Sequence, residues 1–217
     1  MGIGVVCVET GNYCGRGDRY VRNLKAMVKR HLTVPHNFYC ITDKPKDGIE
    51  CISGEKQLKG WWNKLYMFKS GLFDEELMLY FDLDTFIISN IDALTTYGGD
   101  FAMLRDFWAP YPASGVMLFR PDNCPVWDSY CDEGMPQTHP IGDGGWLGQN
   151  FKCDYLQDLY PGYFVSYKTE CVNAKPKRAS VVCFHGDPRP HMAKGWPRDM
   201  WNRMKPQETI RMLPANV

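Results

Sequence analysis

The sequence has no long hydrophobic run. No stretch approaches the roughly 18 apolar residues that a membrane-spanning helix needs, so no transmembrane segment is expected. Residues 1–8 are apolar, but they include no basic residue and Glu9 follows them at once. Such a segment suits a first strand better than a secretion signal. We therefore expect a cytoplasmic protein.

An excess of charge of one sign is also absent. The chain carries 25 Lys and Arg against 25 Asp and Glu, so it has no overall attraction to nucleic acids or anionic membranes. The distribution is uneven, because residues 168–217 contain ten basic side chains and four acidic ones. That region could face phosphates or form an ordinary solvated surface.

Cysteine pairs with the spacing of a metal site are missing. The nine cysteines include no Cys-x-x-Cys pair and their number is odd, which fits neither a zinc site nor a secreted disulfide framework. Cys7, Cys40 and Cys183 lie in apolar runs, where a thiol behaves as a small hydrophobic group. We expect reduced thiols that are mostly structural.

The residues that are present describe a globular α/β protein. Of the 217 residues, 44% are hydrophobic and 23% are charged, which excludes disordered, collagen-like and coiled-coil chains. Apolar runs typical of strands alternate with amphipathic segments typical of helices, which predicts an α/β fold in one domain. Strands are expected at 3–8, 38–42, 77–81, 101–104, 115–119 and 180–184, and helices at 18–31, at 61–69 and from 142.

Two of these elements carry more specific expectations. The helix at 18–31 spaces its apolar residues three to four apart, with Asp18 in position to cap its N-terminus. Leu77–Phe81 is an unbroken apolar run, which suits a strand of a parallel sheet that is covered on both faces.

Asp82 and Asp84 directly follow that run. On a strand, residues two apart project to the same side, and ligands bind at the carboxyl ends of strands in open α/β sheets. Two like charges placed there fit a divalent cation such as Mn²⁺ or Mg²⁺, which binds carboxylates and shares phosphate oxygens of a substrate. Asp-x-Asp alone is common, and on the motif alone a pair of surface carboxylates is the alternative.

The surrounding motifs resemble those of nucleotide-sugar glycosyltransferases of GT-A fold, especially the glycogenin and lipopolysaccharide galactosyltransferase group (glycosyltransferase family 8). The resemblance spans about residues 3–197 with its motifs in order. The matching segments are Asp-Leu-Asp-Thr at 82–85 with Ile-Asp at 91–92, Trp-Asn-Lys-Leu at 62–65, Ala-Ser-Gly-Val at 113–116, Ile-Gly-Asp-Gly-Gly-Trp-Leu at 141–147 and Val-Val-Cys-Phe-His-Gly-Asp-Pro-Arg-Pro-His at 181–191.

The resemblance implies a GT-A type (Rossmann-like) fold, with a mixed, mainly parallel sheet flanked by helices. The nucleotide-binding part is expected at about 1–95, and the acceptor side with a C-terminal metal-ligand element at about 96–217. The implied activity is metal-dependent transfer of a sugar from a nucleotide sugar, a UDP-sugar, to an acceptor hydroxyl. The cofactor would be Mn²⁺ or Mg²⁺.

The resemblance also assigns site residues. Lys64 and Asp143 are the catalytic candidates: Lys64 would approach the donor diphosphate and Asp143 would hold the donor sugar hydroxyls. The metal set is Asp82, Asp84 and His185, with Asp82 beside the ion and in contact with ribose or a metal-bound water. The expected donor-binding residues are Thr10, Tyr13, Asp18, Lys64, Asp82, Ser114, Gly115, Gly186 and Arg189.

Three positions depart from the family pattern. Cys183 stands where the family has its metal-binding histidine. We expect His185 to take that role, because it would share a strand face with Cys183 and imidazole suits Mn²⁺ better than a thiolate does. Gly144 replaces the family's glutamine, and Ala113 replaces an asparagine beside the donor sugar.

The resembled family retains anomeric configuration, and we expect retention here. An inverting enzyme would need a general base near the acceptor hydroxyl, for which Asp143 and Asp106 are the candidates. Trp108, Tyr111 and Trp146 could stack on an acceptor, and Trp146 is favoured because it follows Asp143 in a glycine-rich turn.

The acceptor itself stays open between a saccharide, a lipid-linked glycan, a protein and a modified nucleic acid. Peripheral contact with a membrane is open as well, because Trp196, Met200, Trp201 and Met204 are spaced as on an amphipathic helix. Packing of that helix on the core is the favoured interpretation.

Two other classes of function compete. A metal-dependent nucleotidyltransferase or phosphohydrolase would also use paired carboxylates, but no P-loop or glycine-rich nucleotidyltransferase signature is present. A degenerate GT-A domain that only binds nucleotide or a polymer is the non-enzymatic alternative. The presence of Lys64, Asp82, Asp84 and His185 together argues against it.

Overall fold

The computed structural model describes residues 2–204. Its strands are β1 (Ile3–Glu9), β2 (Asn37–Thr42), β3 (Glu50–Ser53), β4 (Leu77–Phe81), β5 (Thr85–Ile87), β6 (Phe101–Arg105), β7 (Pro112–Phe119), β8 (Asp154–Tyr155), β9 (Phe164–Ser166) and β10 (Val181–Cys183). Its α-helices are α1 (Arg19–His31), α2 (Val126–Asp132), α3 (Gly142–Asn150), α4 (Leu156–Leu159), α5 (Tyr167–Glu170) and α6 (Trp196–Arg203). Shorter 3₁₀ segments cover Tyr13–Gly15, Gly60–Phe68, Asp92–Thr96 and Pro121–Asn123.

Seven strands form the main sheet, in the order β3-β2-β1-β4-β7-β6-β8. The first four strands in this order, β3, β2, β1 and β4, are parallel to one another. Strand β7 pairs antiparallel with both β4 and β6, and β8 pairs in parallel with β6. Three further strands form a small sheet in the order β5-β10-β9. The expected mixed, mainly parallel sheet flanked by helices is confirmed.

Hydrophobic side chains cover both faces of the main sheet. In β4, Leu77, Leu79 and Phe81 point into the cluster that contains α1, whereas Met78 and Tyr80 point into the cluster formed with Gly60–Phe68, α2 and α3. Alternate residues of a strand face opposite ways, so a run buried on both sides must be apolar throughout. This is the reason for the unbroken run at Leu77–Phe81, and the expectation of a doubly covered strand is confirmed.

Helix α1 forms where the apolar spacing predicts it. Its buried face includes Val21, Leu24 and Val28, each fully inaccessible to solvent, and burial of one such side chain contributes about 1.5–3 kcal/mol. Asp18 occupies the N-cap position, but its side chain makes no capping hydrogen bond. Its carboxylate pairs with Arg22 and Lys46 instead, so the expected cap by the Asp18 side chain is wrong.

Helix α3 packs closely against β7, and its glycines permit that approach. A Cβ at Gly144 would lie 3.1 Å from the backbone nitrogen of Ser114, and a Cβ at Gly148 would lie 2.2 Å from Cγ of Pro112. Side chains at these positions would push α3 off the sheet. The glycine-rich sequence therefore brings Asp143, in the first turn of α3, next to the strand that carries Ser114.

Several local expectations need correction. The segment expected as a helix at 61–69 is a 3₁₀ segment, Gly60–Phe68. The elements β3, β5, β8, β9, α2, α4 and α5 lack a clear sequence signal because they are short.

Helix α6 packs on the core through Trp201, and Met204 directly after the helix packs there as well, as favoured. No helix among residues 2–204 is long and apolar enough to cross a membrane, and all nine cysteines are free.

Candidate active site

A cavity of about 640 Å³ opens at the carboxyl ends of β1 and β4. In open α/β sheets this edge is where ligands bind, because the loops that follow parallel strands meet there. The start of α3, the beginning of Gly60–Phe68 and the segment after β10 complete its wall. Its lining residues are Val8, Thr10, Tyr13, Gly60, Trp61, Lys64, Tyr80, Asp82, Leu83, Asp84, Pro140, Ile141, Gly142, Asp143, His185, Gly186 and Arg189.

Asp82 and Asp84 enter this cavity from a turn rather than from a strand. Strand β4 ends at Phe81, and the Thr85 N–H donates to the Asp82 carbonyl at 3.0 Å. The Asp82 N–H donates to the carbonyl of Gly115 at 2.8 Å, which fixes the turn against β7. The expected convergence of the two carboxylates is present, but the expected strand geometry is wrong.

Lys64 neutralises the Asp82 side of the cavity. Its Nζ lies 2.8 Å from Asp82 Oδ1 and 3.6 Å from Asp143 Oδ2, and it donates to Ser114 Oγ at 3.1 Å. Burial alone would lower the pKa of the Lys64 ammonium, but the Asp143 and Asp82 carboxylates raise it above its usual value. Lys64 is therefore a permanent buried cation between two carboxylates.

Asp143 lies deeper than Asp82. It is 4% exposed, and its Oδ2 accepts no hydrogen bond in the described structure. Burial raises the pKa of the Asp143 carboxyl, while the nearby Lys64 ammonium lowers it. Asp143 therefore brings to the cavity wall a buried carboxylate whose Oδ2 lies 3.6 Å from the Lys64 ammonium.

Arg189 neutralises the Asp84 side. Its Nη1 contacts Asp84 Oδ2 directly and also donates to the Tyr13 hydroxyl at 2.6 Å. Asp84 is 2% exposed. Burial and the neighbouring Asp82 raise the pKa of the Asp84 carboxyl, and Arg189 lowers it. The two aspartates thus have separate cationic partners.

The loop that carries Tyr13 is held by a buried ion pair that sequence reasoning missed. Lys46 Nζ contacts Glu9 Oε2 and lies 3.3 Å from Asp18 Oδ1. The other oxygen of Glu9 accepts from the Tyr13 N–H at 3.2 Å. The sequence signal for this ion pair was Glu9, a charged residue at the end of the apolar strand β1. This arrangement brings Thr10 and Tyr13 to the cavity and leaves Asp18 outside its wall.

His185 lines the cavity, although not for the reason expected. Strand β10 ends at Cys183, and His185 has a positive φ of 36°, so the two side chains do not share a strand face. Its Nε2 lies 2.6 Å from Ser166 Oγ, and its ring stacks on Phe107. Burial and the Lys168 ammonium lower the pKa of His185, which keeps the imidazole neutral.

Cys183 belongs to the core. It is buried, and burial raises the pKa of its thiol well above the usual value. A thiol in apolar surroundings is a poor metal ligand because the thiolate must form first.

The carboxylates suit a divalent cation, whereas the third expected ligand is engaged elsewhere. Asp82 and Asp84 offer hard oxygen ligands on one turn, and Mg²⁺ needs only one or two carboxylates when substrate phosphates and waters complete its coordination. Within residues 2–204, no three His, Cys, Asp or Glu side chains are grouped so as to hold a metal ion. Asp82 and Asp84 therefore fit a divalent cation as two oxygen ligands, and its remaining ligands would have to come from outside this group of side chains.

A second cavity of about 360 Å³ adjoins the first and shares Ile141 with it. Asp106, Tyr111 and Ser114 line it. Asp106 Oδ1 accepts the N–H groups of residues 108 and 109 and so shapes the β6–β7 loop. Both cavities open on the same side of the sheet, which suits two substrates that must meet.

Exposed aromatic rings surround the two cavities. Trp61 is 61% exposed, Trp108 62% and Tyr111 51%. Trp146 is buried instead, and its indole N–H donates to Glu133 at 2.9 Å. The preference for Trp146 as a stacking residue is therefore wrong, because α3 turns that side chain into the core. Trp61 was missed, since an aromatic ring at the start of an apolar segment normally indicates core.

Neither a protein-family model nor a curated protein sequence matches this chain. Solved structures do match it in three dimensions, and glycosyltransferases are among them. The galactosyltransferase LgtC, solved in complex with donor and acceptor sugar analogues, aligns with a TM-score of 0.66 at 12% identity over 93% of this chain and 94% of LgtC.

Two further structures are similar. The glycosyltransferase GlyE of Streptococcus pneumoniae TIGR4 aligns with a TM-score of 0.68 at 13% identity, over 94% of this chain. The bifunctional glycosyltransferase WbbM aligns with a TM-score of 0.67 at 11% identity, also over 94% of this chain. The chain spans 60% of GlyE and 49% of WbbM. At these identities the similarity is one of fold, and it shows that the chain folds as these glycosyltransferases do.

Proposed function

We propose that this protein is a glycosyltransferase that moves a sugar from a nucleotide sugar, a UDP-sugar, to an acceptor hydroxyl, with help from Mn²⁺ or Mg²⁺. The observation that carries the proposal is the convergence of Asp82, Asp84, Lys64 and Arg189 in one cavity at the carboxyl edge of the sheet. The carboxylates suit a divalent cation, and the Lys64 and Arg189 cations suit the diphosphate to which that ion would be bound.

The departing diphosphate accumulates negative charge as the glycosidic bond breaks. A divalent cation held by Asp84 and Asp82 would offset that charge without proton transfer. Lys64 is fixed by Asp82, Asp143 and Ser114, so its ammonium needs little reorganisation to stabilise a phosphate oxygen. His185 as a third ligand remains a prediction, because it would have to exchange its contact with Ser166 for the ion.

The nucleoside and the sugar would take different walls of the cavity. Thr10 and Tyr13, which follow β1, are suited to the uracil and ribose. Asp143 is suited to the donor sugar because its carboxylate lines the cavity beside the Lys64 ammonium. In this proposal residues 1–95 bind mainly the nucleotide, and residues 96–217 supply the acceptor side and the C-terminal metal-ligand element. At Gly115 and Gly186 the absence of a side chain would let the donor approach the backbone closely.

A saccharide acceptor is the best match to the adjoining cavity. Aromatic rings bind the apolar faces of sugars, and the exposed ring of Tyr111 lines this cavity. The exposed ring of Trp108 lies against His185 at the first cavity. We propose retention of configuration, with the acceptor hydroxyl entering from the side of the leaving phosphate. Asp143 is already paired with Lys64, and Asp106 is engaged by two backbone N–H groups, so neither is a free general base.

Release of nucleoside diphosphate from a panel of nucleotide sugars tests the proposal. We expect slow hydrolysis of one donor, a UDP-sugar, that requires Mn²⁺ and stops with a chelator. Asp84→Asn should abolish it, because the amide binds the ion weakly. Cleavage of no donor, together with no metal-dependent binding of any nucleotide, would contradict the proposal and leave a binding module on this fold.

A further inference from the structure

The Arg189 guanidinium pairs with the Asp84 carboxylate, which would hold the divalent cation in the proposed function. Its Nη1 contacts Asp84 Oδ2, donates to the Tyr13 hydroxyl, and its Cζ lies 5.4 Å from the centre of the Tyr13 ring. Asp84 is almost fully buried. Among residues 2–204, the side chain that donates a hydrogen bond to its carboxylate is Arg189. Charge at Asp84 is thus balanced without an ion.

A guanidinium and a divalent cation cannot share this carboxylate at low cost. Both are positive, Arg189 already contacts Asp84 Oδ2, and the buried setting weakens the screening of their repulsion. Binding of the ion therefore requires Arg189 to leave. Arg189 is 28% exposed in its side chain and lies beyond the last strand, so it can move without disrupting the core.

In the described part of the chain, an Arg189 side chain that leaves Asp84 keeps only the exposed Asp187, whose Oδ1 lies 3.6 Å from Arg189 Nε, as a carboxylate partner. Within the cavity the remaining carboxylates of Asp82 and Asp143 already face Lys64. A diphosphate would supply oxygens that match the planar fork of a guanidinium. Metal entry and nucleotide entry would each make the other easier, and linkage requires such an effect to be reciprocal.

We propose that Arg189 acts as a resident cation at Asp84, which excludes the divalent ion from the empty cavity and transfers to the diphosphate when ion and nucleotide bind together. This inference rests on the proposed function, since it assumes a diphosphate ligand. Its consequence is that free metal ions bind weakly in the absence of nucleotide. Arg189 is then a positioning residue for the ion as well as a contact for the phosphates.

The test measures two affinities that the proposal moves in opposite directions. Arg189→Met removes the charge and keeps much of the stem that lies beside Tyr13. Titration with Mn²⁺ alone, followed by the electron paramagnetic resonance signal of free Mn²⁺, should show about tenfold tighter binding than in the wild type, equivalent to about 1.4 kcal/mol. Calorimetric titration with UDP at saturating Mn²⁺ should show at least tenfold weaker binding.

Three further variants sharpen the result. Arg189→Lys keeps a cation and should leave the affinity for Mn²⁺ alone close to the wild-type value. Tyr13→Phe removes one acceptor of the guanidinium and should tighten Mn²⁺ binding less than Arg189→Met does. Lys194→Gln removes one charge from an exposed position of the same segment and should change neither affinity, which controls for net charge.

Equal affinity of wild type and Arg189→Met for Mn²⁺ alone would overturn the inference, as would weaker binding of Mn²⁺ by the variant. If the wild type still hydrolyses a nucleotide sugar with Mn²⁺, the proposed function survives that result. Failure of the wild type to bind Mn²⁺ even with UDP would overturn the inference and the metal-dependent function together.

Discussion

Replacement of Lys64 by methionine tests the buried charge cluster most sharply. The side chain of Lys64 is 10% exposed and that of Asp143 is 6% exposed, with 3.6 Å between their charged atoms. Methionine fills much of the same volume, so the main loss is the positive charge. Removal of one partner of a buried ion pair costs about 3–5 kcal/mol, because the other charge stays buried without compensation.

We expect the lower end of that range, about 3 kcal/mol, because Asp82 is partly exposed and water can solvate it from the cavity. For a domain of this size, that loss lowers the melting temperature by roughly 6–12 °C. Urea denaturation near neutral pH would measure the free energy of unfolding. Lys59→Met is a matched control, because Lys59 is exposed and directly precedes the same 3₁₀ segment.

The loss should depend on pH with a definite sign. Burial already raises the pKa of Asp143, and removal of Lys64 raises it further. A carboxyl whose pKa is higher in the folded state than in the unfolded state destabilises the protein above that pKa, and the penalty disappears as the pH falls through it. The difference between wild type and Lys64→Met should therefore shrink on acidification.

Asp143→Asn in the Lys64→Met background should restore part of the stability, because it removes the uncompensated charge. A loss below about 1 kcal/mol in Lys64→Met, smaller than the range for a buried pair, would refute the reasoning. So would a deficit that grows on acidification, or no recovery in the double variant.

Two further predictions concern the acceptor side and the packing of α3. Tyr111→Ala should raise the acceptor KM severalfold and leave metal-dependent donor hydrolysis unchanged, as measured by initial rates with and without acceptor, because Tyr111 lines the second cavity and not the first; a fall in hydrolysis alone would contradict the separation of the two cavities. Gly148→Ala should lower the free energy of unfolding by about 1–3 kcal/mol through overpacking against Pro112, despite the higher helix propensity of alanine. Urea denaturation with an unchanged or raised midpoint would contradict the close approach of α3 to β7.

Much of the fold was predictable because its signals are local. The unbroken apolar run of β4 predicts burial on both faces, and the spacing in α1 predicts one buried face; both are confirmed. The 3₁₀ geometry of Gly60–Phe68 was not predictable, because it is set by packing against the sheet. The short strands β5 and β9 both pair with β10, and no local pattern encodes that pairing, although the apolar run of β10 itself was predicted.

Part of the lining of the candidate cavity was predictable, but the contacts within it were not. Motif order brought Lys64, Asp82, Asp84 and Asp143 into one expected site, and the structure places them in one cavity. The partner of Asp84 was not foreseen, because Arg189 lies more than a hundred residues away in sequence and reasoning from the resemblance assigned it to phosphates.

Two other expectations, the cap by Asp18 and the stacking role of Trp146, are wrong for similar reasons. Asp18 has the right position for a cap, but Lys46 and Arg22 compete for its carboxylate. Trp146 follows a glycine-rich turn, as a site residue would, yet its orientation on α3 sends it to Glu133. Both outcomes depend on tertiary contacts.

A crystal structure with Mn²⁺ and UDP, with anomalous diffraction data collected at the manganese edge, is the most direct test of the central claim that this cavity binds a metal–nucleotide pair. We expect one anomalous peak in contact with Asp84 and the diphosphate. We also expect the uracil to lie near Thr10 and Tyr13, and the Arg189 guanidinium to have moved from Asp84 to a phosphate. A nucleotide bound elsewhere, or an anomalous peak that does not touch Asp84, would contradict it.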